Sequence, residues 1–351
     1  MNTESNRQLR FAREPAGFVD DTTFELVEVP VDLPRAGEVR VRNLLLSIDP
    51  TMRVWLDRHA TYLDELHTGD VFRAIAIAVV EESTDPDLPP GTLVQGLTGC
   101  QTHAVVPAGQ LTPLPAIPGL PLDAHFGLLG HIGTTAYCGL VEIGRVRSGE
   151  TLVVSAAAGA VGSLAAQIGL ILGCRVIGIA GSADKCRYLT DNLGLHGAID
   201  YRSEDVDRAL ARLCPDGVDV YFDNVGGRVL EAVLEHMKDF GRIVGCGMIS
   251  GYNDGKVECP DNLLYIVTKR LRFEGFVILD ERHDKVAAYE HLLQWAAEGR
   301  LRYRIHRFEG LASVPTAINT LFDGSNHGKV VVQLAPEPQP ARPRLNSERR
   351  P

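Results

Sequence analysis

The chain has 351 residues, 45% of them hydrophobic, and carries 45 acidic against 35 basic side chains for a formal net charge of −10. That length supplies two ordinary cores, and the acidic balance argues against a nucleic-acid binder, which presents a basic face. No apolar run reaches the roughly 18 residues of a membrane span, and the start, MNTESNRQLRF, lacks the charged-then-apolar layout of a secretory leader. A cytoplasmic protein with neither nucleic-acid nor membrane partner is expected.

Up to about residue 124, short β-type runs alternate with Pro and Gly. They are EVRVRNLLLSI (38–48), VFRAIAIAVVEES (71–83) and TLVQGLTGCQTHAVV (92–106), which together suggest a small antiparallel barrel or sandwich. The Pro-rich link LTPLPAIPGLPLD (111–123) follows. From about 150 the pattern changes. TLVVSA (151–156) leads into a helix-length segment ending near Gly173, then RVIGIAG, a helix near 182–193, GAIDY, a helix near 204–213 and GVDVYFDNVGG. GRIVGCG and RFEGFVIL add two more apolar strands. Strands alternating with helices predict a parallel sheet with right-handed crossovers.

Val286, Tyr289, Leu292, Leu293 and Ala296 recur at helical spacing, so a long amphipathic helix near 282–298 is expected to close this part. The segment from 303 to 334 reads as strand, helix, turn, strand and is long enough to rejoin the first domain. The tail APEPQPARPRLNSERRP is expected to be disordered. The expected fold class is α/β, divided as 1–124, an inserted doubly wound domain at 125–300, a return segment at 301–334 and a tail at 335–351.

The seven cysteines (Cys100, Cys138, Cys174, Cys186, Cys214, Cys246, Cys259) are scattered and never spaced C-x-x-C, and the eleven histidines form no H-E-x-x-H. Free thiols in a reducing compartment and no metal are expected. The informative stretch is VSAAAGAVGS (154–163). Gly159 and Gly162 stand between strand and helix, with Ala157 where the first glycine of G-x-G-x-x-G would fall. Small residues make the turn tight and bring a pyrophosphate against the helix N–H groups. NAD-binding folds place Asp or Glu about 20 residues on, to hold the ribose. IAGSADK (179–185) has no acid at the strand end and offers Lys185 to a 2′-phosphate, which favours NADP(H).

With that turn, YFDNVGG (221–227), GLLGHIGTTAYCGLVEIG (127–144) and GSNHGKVVV (324–332) make the chain similar to the zinc-independent medium-chain dehydrogenase/reductases. The branch it most resembles is that of prostaglandin reductases and alkenal double-bond reductases. The resemblance spans LLLSIDPTMR (44–53) to Leu334. It implies a GroES-like catalytic domain with an inserted Rossmann domain, a homodimer, and no zinc lobe. It carries cofactor roles to the turn Gly159, Ala160, Val161 and Gly162, and to Lys185, Tyr201, Asn224 and Asn326. It adds Cys246, Ser250 and Tyr252 in CGMISGY, and Phe276, Val277 and Ile278.

The activity the resemblance implies is hydride transfer from NADPH to the β-carbon of an α,β-unsaturated aldehyde or ketone. Charge then grows on the carbonyl oxygen, and losing one donor aimed there costs about 3–4 kcal/mol. Tyr265, in NLLYIVTKRLRFEGF, is the donor that the resemblance points to. In the expected substrate pocket, Thr51 replaces a frequent tyrosine beside Arg53, and His131 a frequent methionine. Quinone reduction and an NADPH-binding sensor with little turnover are the competing readings.

Overall fold

The structure is a computed structural model that describes residues 5–57, 63–117, 119–253, 255–256 and 258–338. Most of the tail expected to be disordered, from 339 on, lies outside the described residues. The chain opens with β1 (Ser5–Phe11) and β2 (Phe24–Pro30), an antiparallel pair that its charged alternation concealed in the sequence. Then come β3 (Glu38–Ile48), α1 (Thr51–Val54), β4 (Ala76–Ser83), β5 (Leu93–Gly96), β6 (His103–Pro107) and β7 (Thr112–Pro113).

The 92–106 run is broken into β5 and β6 because Gly99 takes φ +81, a left-handed turn that ends the strand. Strand β3 is apolar along much of its length because both faces are covered. Val39 and Val41 enter one core, Leu46 and Ile48 another, and Leu45 a third.

Next are α2 (His131–Cys138), flanked by wide helical turns at His125–Leu129 and Gly139–Ile143, then β8 (Thr151–Val154), α3 (Ala160–Ile171), β9 (Arg175–Ala180) and α4 (Ala183–Arg187). They are followed by β10 (Gly197–Asp200), α5 (Val206–Leu213), β11 (Val218–Asp223), α6 (Gly227–His236), β12 (Met237–Gly245), α7 (Leu264–Thr268), β13 (Arg272–Gly275) and α8 (Lys285–Ala297). The six parallel strands order as β10-β9-β8-β11-β12-β13. Numbered within the sheet this is 3-2-1-4-5-6, whose direction reverses between β8 and β11, where such sheets collect ligands. Strand β8 is buried on both faces, Leu152 and Val154 into one core and Val153 into the other.

The helix expected near 282–298 exists as α8, but Val286 is 70% exposed and Trp295 takes a place in the buried stripe with Ala288 and Leu292. The chain then returns through β14 (Ile305–Glu309), α9 (Val314–Asp323) and β15 (Lys329–Gln333). Both strands join the seven-stranded sheet of the first half, β15 pairing antiparallel with β3. The parallel sheet is therefore an insertion. On its way back the chain touches the glycine turn, Gly328 bridging to Gly159. Among the described residues no helix is long and apolar enough to cross a membrane.

Candidate cofactor and active site

The glycine turn is shaped by close backbone approach. A Cβ at Gly162 would lie 2.3 Å from the Ala156 carbonyl oxygen and 3.0 Å from the Ala157 Cα, both backbone atoms that cannot move aside. Ala156 itself sits at φ +47, a left-handed conformation that costs an L-residue about 1–2 kcal/mol. Gly159 caps α3 in extended conformation, and no side chain bonds into that end. The N–H groups at the start of α3 and the positive end of its dipole thus form a cradle that fits a diphosphate.

At the end of β9, Ser182 accepts a hydrogen bond from Lys185 N at 3.3 Å and caps α4, while Asp184 pairs with Arg187. Lys185 Nζ donates to the Gly324 carbonyl at 2.7 Å and lies 3.5 Å from Asn326 Oδ1. Burial, then the neighbouring Arg202, lowers its amine below the ordinary lysine value, with Asp323 opposing. Tyr201 packs against Gly181, where a Cβ would come within 2.9 Å of the ring. Arg202 stands 5.9 Å over that ring and donates to the Asp323 carbonyl at 2.9 Å.

A recess beside the turn is lined by Ala158, Asp184, Lys185, Tyr188, Arg304 and His327, with the Arg304 guanidinium 3.5 Å over the Tyr188 ring. Arg202 and Arg304 escaped the sequence reading. Neither lies in a glycine motif, and Arg304 comes from the returning segment, more than a hundred residues beyond Tyr188.

Asn224 follows β11 and is fixed by Ser155: its Nδ2 donates to the Ser155 carbonyl at 2.7 Å and its N–H to Ser155 Oγ at 2.9 Å. Beneath it, Asp223 is buried and accepts from Tyr221 Oη at 2.8 Å and from the N–H groups of Val225 and Gly226, both at 2.9 Å. Burial raises this carboxyl despite those donors. The N–H groups of Cys246 and Gly247 donate to the Asp223 carbonyl. Ser250 Oγ donates to Val225 O at 2.6 Å, and the Tyr252 hydroxyl accepts from Met248 N at 3.1 Å. Ser250 therefore shapes the loop. Burial and nearby Asp223 push the Cys246 thiol up to about 12, so it stays protonated near neutral pH. Phe276 packs on Gly139 and Phe222, and Ile278 against the same core, with Val277 between them.

On the side formed by the first half of the chain, a charged cluster assembles. Asp49 lies 3.1 Å from Lys329 Nζ and 3.3 Å from His131 Nε2, and accepts from Ser47 Oγ at 2.5 Å. Lys329 is 2% exposed and also donates to the carbonyls of Ile48 (2.6 Å) and Val330 (2.8 Å). Burial opposes the Asp49 charge, but Lys329 and His131 more than offset it and hold the carboxyl well below its ordinary range. His131 Nδ1 is buried without a hydrogen-bond partner among the described residues. Thr51, half-buried, opens α1.

Arg53, expected in the substrate pocket, is held from several sides. It is 2% exposed and bound to Asp57 at 2.5 Å and to the carbonyls of Gly17 (2.9 Å), Pro15 and Asn253 (both 3.3 Å). It ties α1 to the loop that carries Tyr252.

Tyr265, the donor that the resemblance points to, lies on α7. With Ile266 and Phe273 it packs against the outer core around Leu234 and Leu271. Lys269 Nζ sits 4.5 Å over its ring and donates to the carbonyls of Leu234 (3.2 Å) and Glu235 (2.6 Å). Those carbonyls end α6, whose other end, ten residues and about 15 Å away, abuts Asn224. On this helix Tyr265 and Ile266 are half-buried, while Leu264 and Val267 are each 71% exposed.

The fold and cleft define a dinucleotide-binding oxidoreductase architecture. Residues 7–114 match the family profile described as N-terminal domain of oxidoreductase, and residues 160–298 that described as zinc-binding dehydrogenase. The NADPH-dependent curcumin reductase of Escherichia coli (strain K12) is 36% identical over 338 residues, covering 95% of this chain and 98% of its own. The 2-alkenal reductase (NADP(+)-dependent) of Nicotiana tabacum is 38% identical over 338 residues, with the same shares. The crystal structure of CurA in complex with NADPH from Vibrio vulnificus superimposes with a TM-score of 0.89 at 37% identity, covering 95% of this chain and all of that one. The chain belongs to the medium-chain dehydrogenase/reductases, in the branch of the prostaglandin and alkenal reductases.

Proposed function

We propose that the protein reduces the carbon–carbon double bond of α,β-unsaturated aldehydes or ketones with NADPH. The observation that carries the reading is the cradle itself. Gly162 is sterically obligatory, α3 is uncapped, Lys185 follows β9 where an NAD-binding fold places an acid, and Arg202 comes near Lys185 from the end of β10. The first turn of α3 holds the diphosphate, and Lys185, Tyr201 and Arg202 hold the 2′-phosphate. Asn224 and Asn326, both fixed by hydrogen bonds, line the path between. The 246–252 loop and Phe276–Ile278 close the reacting end.

When bound, NADPH supplies the hydride that the β-carbon receives. The chain positions the enone against the wall formed by Thr51 and His131, and the imidazole is oriented by ionised Asp49.

The named activities of relatives support this reading: curcumin is reduced by one and 2-alkenals by another. A cytoplasmic homodimer is part of the proposal. Strand β13 is an outer strand of its sheet, and exposed Leu264 and Val267 lie beside it; an open edge of this kind needs covering. The test follows NADPH oxidation against a long-chain enal, a β-aryl enone and a simple quinone, with NADH in parallel and products identified. Saturated aldehyde or ketone formed with strong NADPH preference is the expected result. Turnover of the quinone alone would replace the proposal with quinone reduction, and tight NADPH binding without turnover would leave a cofactor-binding protein that is not this reductase.

A further inference from the structure

Away from the cleft, three side chains with metal-ligand chemistry converge. Cys138 ends α2, Glu142 follows one turn later, and His283 comes from the loop before α8. His283 Nδ1 lies 2.6 Å from Glu142 Oε2, and the sulfur, carboxylate oxygen and imidazole nitrogen all lie within 4.8 Å of one another. Cys138 and His283 are buried, while the Glu142 side chain is 28% exposed and opens the cluster to solvent.

We propose that Cys138, Glu142 and His283 bind a divalent transition ion of the Zn²⁺ class. Thiolate, imidazole and carboxylate are the donors that such ions take in tetrahedral sites, at about 2.3, 2.0–2.1 and 2.0–2.2 Å. Ligand atoms around such an ion stand well inside the 4.8 Å that these three already satisfy; the short His283–Glu142 contact opens slightly to admit it. The supporting shell is present. The Asp284 N–H donates to the other Glu142 oxygen at 3.0 Å, and Phe276 meets the His283 ring edge-on at 5.7 Å. Orientation of a ligating carboxylate by a hydrogen bond of this kind is usual in metal sites.

Binding releases the Cys138 thiol proton to solvent and leaves His283 protonated at Nε2 alone, with water in the fourth position. The ion performs no hydride chemistry, because Cys138 lies seven residues, about 10 Å, along α2 from His131. It clamps α2 to the loop that follows Phe276–Ile278.

Metal-stripped full-length protein titrated with Co²⁺ tests the site. One ion per chain is expected, with a thiolate-to-cobalt charge-transfer band and tetrahedral d–d absorption, both reversed by Zn²⁺. Cys138→Ser should abolish the band, His283→Gln should weaken binding at least tenfold, and Cys259→Ser, at an exposed thiol, should change nothing. Zn²⁺ should raise the thermal midpoint of the wild type and not of His283→Gln, with NADPH affinity of that variant within twofold of wild type. The wild type alone decides if Cys138→Ser fails to fold: no thiolate band, or none at one equivalent, overturns the proposal. So does a band lost in Cys259→Ser or undiminished in His283→Gln.

Discussion

The two ends of the cleft are built in different ways. The cofactor end is a backbone device: a strand, a turn of small residues and an uncapped helix supply the anion site within about ten consecutive positions. The substrate end is assembled from side chains far apart in the chain, Ser47 and Asp49 from β3 and its end, His131 from α2 and Lys329 from β15. A backbone site tolerates change everywhere except where a Cβ intrudes. A side-chain cluster depends on each charge being answered.

The largest effect that separates the two ends is expected at Lys329. Replacing it by Met leaves Asp49 buried without its principal cation, and breaking such a pair costs about 3–5 kcal/mol, visible as a lower urea midpoint. At the cofactor end Lys185→Ala should leave the fold intact and weaken NADPH but not NADH. The loss is about 1.5–3 kcal/mol, typical of a hydrogen bond to a charged group, and titration of each nucleotide by fluorescence reads it. Gly162→Val forces a side chain onto the Ala156 carbonyl and should weaken both nucleotides alike, by about 1–3 kcal/mol. A selective loss there would show that the turn is not the shared diphosphate cradle.

A smaller effect is confined to acid. The folded Asp49 carboxyl lies well below its ordinary value of about 3.9. Its stabilisation is therefore complete above that pH and is lost as pH falls from there towards the folded value. Acid titration of folding should show a shallower loss below about pH 4 in Asp49→Asn than in the wild type. The smallest effect is expected at Tyr265→Phe, which should keep turnover within twofold of wild type; a large drop in turnover at unchanged stability would return that hydroxyl to the cleft.

Legibility in the sequence follows the same division. The alternation of strands and helices, the glycine turn and the missing acid after β9 are local patterns, and each could be read from adjacent residues. The surroundings of Tyr265 were not legible because α7 has five residues, too few for a periodicity that would tell its half-buried side from its exposed one. The surroundings of Arg53 were hidden because sequence does not reveal that backbone carbonyls from two separate segments, 15–17 and the loop at Asn253, meet at it. The Asp49 cluster and the Cys138–Glu142–His283 group were invisible for a simpler reason. Their members stand 82 and 141 residues apart and meet only when the return segment and the inserted domain fold.

The central claim is that hydride reaches the β-carbon of a conjugated carbonyl. Reduction of an enal or enone with NADPH deuterated at the transferred position tests it directly, with the product examined by NMR. One deuterium on the β-carbon of a saturated carbonyl product is the expected result. Deuterium on a carbinol carbon, with the double bond intact, would contradict the account and make the protein a carbonyl reductase.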